Sequence, residues 1–159
     1  MKIVVGGQIN KQEIYDYIQK YFGEGNVELA VKNDLDAVMA MKAGQFDYYI
    51  GACNTGGGGA LAMAMALLGA NACKTISMPG KILPDEEIVH AVNEGKVAFG
   101  FTSQHMEQVL PVWLKAIQTK NSKEIPNYTK GDNYNEVFSF SRYWCISIYF
   151  SEQGYCGIQ

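Results

Sequence analysis

The chain has 159 residues, enough for one domain built around a single sizeable core. A formal charge of −3 and a pI near 5.4 give no electrostatic footprint for nucleic acid or an anionic membrane, so neither partner is expected. Its basic residues are lysines apart from Arg142, which removes bidentate guanidinium recognition of phosphate or carboxylate from most of the chain.

In chain order, "KIVV" (Lys2–Val5) ends in Gly6-Gly7 and reads as a buried strand. "KQEIYDYIQKYF" follows with Ile14, Tyr17, Ile18 and Tyr21 at helical spacing, and stops at Gly23. "VELAV" (Val27–Val31) is a second strand, after which Asn33 or Asp34 caps a second helix with Leu35, Val38, Met39 and Met41 on its apolar face. "YYIGA" (Tyr48–Ala52) is a third strand, leading through a glycine-rich loop into a third helix that ends at Leu68. "KTISM" (Lys74–Met78) is a fourth strand closed by Pro79-Gly80, and Pro84-Asp85-Glu86-Glu87 opens a fourth helix, its acids placed where the helix dipole favours them. "VAFGF" (Val97–Phe101) is the fifth strand, and Thr102 or Ser103 caps a last helix that Pro111 is expected to kink or divide. This alternation predicts an α/β fold: a doubly wound, mostly parallel, five-stranded Rossmann-like sheet with helices on both faces.

Residues 1–118 make up this α/β domain. From Thr119 onward the chain contains no Ala, Leu or Met, and aromatic residues crowd among Asn, Ser, Lys and Gly. So abrupt a change marks residues 119–159 as an aromatic-rich extension. It is either an appendage of two or three short strands, including Val137–Phe140 and Cys145–Phe150, or the product of out-of-frame or read-through translation.

Met1-Lys2 runs straight into the first strand, so no signal peptide is expected. The longest apolar run, Gly56 to Ala70, falls short of the ~20 residues that span a bilayer. Cys53, Cys73, Cys145 and Cys156 form no CxxC pair and have no histidines at metal spacing, so neither a zinc site nor a disulfide framework is expected. The expectation is a cytoplasmic protein with reduced thiols, no metal and no cofactor.

Chemistry concentrates in "DYYIGACNTGGGGALAMAMALLG". In open α/β sheets, ligands bind beyond the carboxyl ends of the strands, where Cys53 and the loop to Gly59 are expected. Successive glycines can turn N–H groups toward one point, and the following helix adds free N–H groups and its positive dipole end. That field lowers a nearby thiol's pKa, making Cys53 a candidate reactive group. Asn54, Gly56, Gly57, Gly58 and Gly59 are candidate ligand contacts, with Thr55 adding a hydroxyl. His105, in the first turn after the fifth strand, is a further candidate contact. Nucleotide signatures fit badly: no Lys-Ser/Thr follows the glycines, and Leu61 stands where a dinucleotide fingerprint needs its third glycine. The same residues also suit close helix–sheet packing, with Ala60, Ala62, Ala64, Ala66, Met63 and Met65 making a helix apolar on every face, as a buried one would be.

"NDLDAVMAMKAGQFDYYIGACNTGGGGALAMAMALLG" and "EGKVAFGFTSQHMEQVLP" resemble the YhfU-like bacterial family of unknown function over residues 1–118. "FDYYIGACNTGGGGALA" and "KVAFGF" are also similar to ribose-5-phosphate isomerase B and the galactose-6-phosphate isomerase subunits, where a strand ends in a Cys-Gly-Thr-Gly loop. That resemblance implies Cys53 as the base moving a proton between C1 and C2, Thr55 as the loop threonine, loop amides on an enediolate oxyanion, and His90 assisting ring opening. His90 matches only after a one-residue shift, and its neighbours Ile88, Val89, Ala91 and Val92 make it read equally as an ordinary helix residue. Gly7-Gln8-Ile9 replaces the family's Asp-His pair, Asn54 replaces a glycine, and the phosphate-holding arginines have no counterpart, with Lys81 and Lys96 as point-charge substitutes. The expected function is a sugar-phosphate-isomerase-like protein that binds a small polar or anionic metabolite at residues 53–59 and catalyses aldose–ketose proton transfer. The alternatives are a non-catalytic binding or regulatory module, a subunit of a metabolic complex, and, third, a phosphocarrier with phosphoryl transfer to Cys53. The isomerase resemblance implies a homodimer.

Overall fold

The computed structural model describes residues 1–123. Strand β1 (Lys2–Gly7) leads through helix α1 (Lys11–Phe22) to β2 (Glu28–Val31), α2 (Asp34–Lys42), β3 (Tyr48–Cys53) and α3 (Gly58–Leu68). After these come β4 (Cys73–Thr75), the two-residue strands β5 (Ser77–Met78) and β6 (Lys81–Ile82), α4 (Asp85–Asn93), β7 (Ala98–Thr102) and α5 (Met106–Lys123). The expected strands Val137–Phe140 and Cys145–Phe150 lie outside the described residues.

Five strands form a parallel sheet in the order β2-β1-β3-β7-β4. Strand alternation sends Ile3, Val5, Ile50, Phe99 and Phe101 to one face, against Ile14 and Ile18 of α1, Ile88 and Val92 of α4, and Leu110 and Trp113 of α5. Val4, Tyr49 and Ala98 point the other way, against Ala37 and Val38 of α2 and Leu61 and Ala64 of α3. Helices therefore cover both faces, which explains why these strands are written as nearly unbroken apolar runs. The chain leaves β1 toward β2 on one side and takes up β3 on the other. This makes the crevice beyond the carboxyl ends of β1 and β3 a topological switch point.

Helix α2 begins as its sequence suggests. The Asn33 side chain accepts the Asp36 N–H at 2.8 Å, using one of the donors that a helix start leaves unpaired. Asn33→Ala should therefore cost about 1 kcal/mol in a urea melt. An unchanged midpoint would show that this bond does not stabilise the fold.

Four expectations need correction. The run Lys74–Met78 is not one strand: pairing with β7 ends at Thr75, and Ile76 gives its N–H to the Gly100 carbonyl at 2.9 Å. Pro79-Gly80, with Gly80 at φ +73°, then folds Ser77–Met78 back onto Lys81–Ile82 as an antiparallel pair. Second, α3 is apolar all round but not buried all round. Ala60, Leu61 and Ala64 face the sheet while Ala62, Met65 and Ala66 are exposed, because among the described residues α2 is the α-helix that packs beside α3 and it leaves the outer side open. Third, of the two outcomes expected at Pro111, division does not occur: α5 runs through it as one helix. The missing proline N–H leaves only the Glu107 carbonyl without a helical donor, and Glu107 is exposed, so water can satisfy it. Fourth, Thr102 makes no capping bond; a short 3₁₀ turn, Ser103–His105, leads into α5 instead.

Helix α5 also continues past Thr119. The Lys120 ammonium donates to the Val92 carbonyl at 2.8 Å in the last turn of α4, so the change in composition at residue 119 falls inside a helix. Among the described residues no helix is long and apolar enough to cross a membrane.

Candidate functional site

Cys53 is the last residue of β3 and lies in register with Thr102, the last residue of β7. Both side chains point to the α3 side of the sheet, by alternation from Tyr49 and Ala98, and both residues are buried, at 1% and 3% exposure. The chain beyond Cys53 turns back over them. Gly56, at φ +76°, passes so close to the Ser77 carbonyl that a Cβ there would lie 1.9 Å from its oxygen and 3.1 Å from the Thr102 hydroxyl. Gly100 lies under the same loop, where any side chain would meet the Gly56 carbonyl and Leu61. The tetraglycine thus performs both roles open to it: it lets α3 close on the sheet, and it sets backbone amides around a thiol.

The Cys53 Sγ lies 3.5 Å from the Thr55 Oγ1. Burial pushes the thiol's pKa up. The Thr55 hydroxyl and the N–H groups of Ala60, Thr55 and Gly59 outweigh that, leaving Cys53 below its ordinary value. Two of those N–H groups, from Gly59 and Ala60, belong to the first turn of α3, whose positive dipole end faces the sulfur. Cys73, by contrast, is pushed up by burial, only partly countered by Lys96.

These opposite shifts make an internally controlled prediction. In peptide-resolved alkylation with iodoacetamide, the Cys53 rate should reach half its maximum at a lower pH than the Cys73 rate. Reactivity at Cys53 is then retained down to its depressed pKa and lost below it. A Cys53 midpoint at or above that of Cys73 would rule out thiolate stabilisation by the loop. The absolute rate reports loop opening and the midpoint reports the thiol.

Asn54, Thr55 and Gly58 are exposed, Gly57 and Gly59 half-buried, and Gly56 buried, so the loop presents a polar outer rim over an enclosed sulfur. His105 sits at the same edge, in the turn after β7, half-buried, with a buried Nδ1 that has no hydrogen-bond partner among the described residues. His90 is not brought there. Its side chain is 72% exposed and paired with Glu94 at 3.5 Å, on α4, which packs on the sheet face opposite Cys53. A helix residue with Ile88, Ala91 and Val92 on its buried side has to point its own ring outward. Of the lysines considered as phosphate substitutes, Lys96 donates to the Asn71 carbonyl at 2.8 Å beside the amino end of β7. Lys81 is exposed on the β5–β6 hairpin, next to the loop.

Three residues join the site that sequence reading did not select. The Thr102 hydroxyl is buried and has no hydrogen-bond partner among the described residues, although its own N–H is satisfied by Ser77 Oγ at 3.0 Å. Gln8, after β1, lays its amide over Gly59, where a Cβ would come within 2.7 Å of it. Tyr49 lies wholly buried beneath the loop, its hydroxyl donating to the Ala60 carbonyl at 2.6 Å. A signal for Thr102 existed, a hydroxyl at a strand end, but its partnership with Cys53 depends on β7 inserting next to β3.

Over residues 1–117 the chain matches the model of a family described as "Protein of unknown function DUF2620". It is 42% identical over 117 residues to the proteins called "Uncharacterized protein YhfU" of Escherichia coli strain K12 and of Shigella flexneri, alignments that cover 74% of this chain and 98% of each relative. No solved structure matches it.

Proposed function

The chain belongs to the DUF2620 family, and from the geometry around Cys53 we propose an isomerase-like protein that binds a small polar or anionic metabolite over residues 53–59. Its chemistry is proton transfer next to a carbonyl. One observation carries this reading: a thiol at a strand end, held by Thr55 and by the amides of Thr55, Gly59 and Ala60, beside a buried hydroxyl with unused hydrogen-bonding capacity.

In the proposed reaction the Cys53 thiolate removes the proton from the carbon beside the substrate carbonyl and becomes a thiol. The C–H electron pair forms the enediol C=C bond, and the carbonyl π pair moves to its oxygen. The hydroxyl proton on the deprotonated carbon passes to that oxyanion. The lone pair it leaves closes the new carbonyl as the C=C pair takes the thiol's proton at the neighbouring carbon, which regenerates the thiolate with no oxidant in the balance. The amides of Thr55, Gly59 and Ala60 serve the sulfur itself, which shifts their role from substrate oxyanion to base. Asn54 and the outer glycines then face the substrate, and His105, rather than His90, is the imidazole at this edge.

A second reading, a non-catalytic ligand-binding or regulatory module or a subunit of a metabolic complex, is favoured by the lack of any arginine in residues 1–123 and by the near-complete burial of Cys53. Incubation with sugars and sugar phosphates in deuterated water separates the two. Deuterium appearing beside the carbonyl supports the isomerase. A raised melting temperature without exchange identifies a binder, and neither response rejects ligand binding of this class at the loop.

A further inference from the structure

We propose that Tyr49 is a positioning residue for Cys53: its hydroxyl, reaching from β3 to the Ala60 carbonyl, fixes the first turn of α3 so that its amides stay on the sulfur. The inference rests on the reading of Cys53 as the reactive group.

The loop needs such a pin. Residues 56–59 are all glycine, the residue type with the most backbone freedom to lose, so nothing in their own chemistry selects the conformation that aims Gly59 and Ala60 at the thiol. Ala60 is the first residue after them with a side chain, and it is held by a rigid group. Tyr49 sits in the middle of a central strand at 0% exposure, and its ring occupies space that Gly6 and Gly51 leave open. A Cβ on Gly6 would come within 2.4 Å of the ring, and one on Gly51 within 2.7 Å of the hydroxyl. The phenol oxygen is itself fixed: the Gly7 N–H donates to it at 3.0 Å, and Asp34, at the start of α2, lies 3.3 Å away while also accepting the Gly7 N–H. The end of β1, the start of α2 and the start of α3 therefore meet at one hydroxyl, and through Ala60 that junction controls the donors around Cys53. Burial and the Asp34 carboxylate raise the phenol's pKa, so it remains a donor throughout the range in which a thiol titrates.

The test is the pH midpoint of Cys53 alkylation in Tyr49→Phe, with thermal melting to confirm folding. The midpoint should rise by about half to one pH unit, a three- to tenfold smaller thiolate fraction at neutral pH. A purely structural role would raise the rate at every pH by loosening the loop and leave the midpoint in place. Should Tyr49→Phe fail to fold, 4-aminophenylalanine at position 49, of nearly the same shape but a weaker donor, decides the matter. A smaller upward shift supports the proposal and an unmoved midpoint overturns it. No substrate is needed, so the two readings fail separately. A wild-type thiol at its ordinary pKa rejects Cys53 as the reactive group, whereas a depressed wild-type thiol unchanged in a folded variant rejects Tyr49 alone.

Discussion

Gly56→Ala should lower the melting temperature by roughly 10–20 °C, and Gly58→Ala, two residues along, by far less. Two costs add at Gly56. Its φ of +76° is a left-handed conformation, which costs an L-residue roughly 1–2 kcal/mol. Its Cβ would stand 1.9 Å from the Ser77 carbonyl oxygen, and that oxygen is backbone in a residue 1% exposed, so it cannot swing aside as a side chain would. Relief requires the loop or the β5–β6 hairpin to move, bringing the total to roughly 3 kcal/mol or more, in the range reserved for a few named mechanisms. At Gly58 φ is not positive, and the nearest atom to a Cβ is the Thr55 hydroxyl at 3.0 Å, the end of a side chain that can rotate. Because Thr55 holds the thiol, Gly58→Ala should instead move the alkylation midpoint of Cys53. Equal melting losses in the two variants would mean that the run acts by flexibility alone, without the close approach at Gly56.

Periodicity and punctuation made the helices and strands around the site readable. The stop at Gly23, where the backbone turns to φ +79° and the Gly23 N–H returns to the Gln19 carbonyl, is written in the glycine itself. The Asn33 cap and the position of Cys53 at a strand end were equally local. What local pattern does not encode is lateral order. Nothing in "KVAFGF" says that β7 inserts between β3 and β4, and that insertion alone puts Thr102 beside Cys53 and leaves His90 on the opposite face. Tyr49 was hidden for a related reason. An aromatic in a buried strand reads as core, and its polar role depends on Gly6 and Gly51, which sequence reading treats as turn and strand residues rather than as space for a neighbouring ring. The apolar sequence of α3 signalled burial, while the actual exposure of Met65, at 39%, depends on how many helices share that face.

Cys53→Ser should abolish deuterium exchange, a loss of roughly 10²–10⁴-fold or more, with little effect on melting, whereas Thr102→Val should weaken ligand-induced stabilisation while leaving the free protein as stable or more so. Serine keeps the size and the Thr55 contact, but its hydroxyl does not ionise near neutral pH, so the amides of Thr55, Gly59 and Ala60 no longer have an anion to stabilise. For Thr102 the signs differ because its hydroxyl is buried at 3% exposure with no hydrogen-bond partner among the described residues, a group whose desolvation costs stability. Valine removes that cost at nearly constant shape. A site kept at the expense of the free fold should therefore show a variant that melts higher and binds worse, whereas a hydroxyl retained only for packing would give the first effect without the second. If Thr102→Val leaves both exchange and ligand stabilisation at the wild-type level, the strand end of β7 is not part of the site. Cys53→Ser with undiminished exchange would remove the thiol from the chemistry altogether.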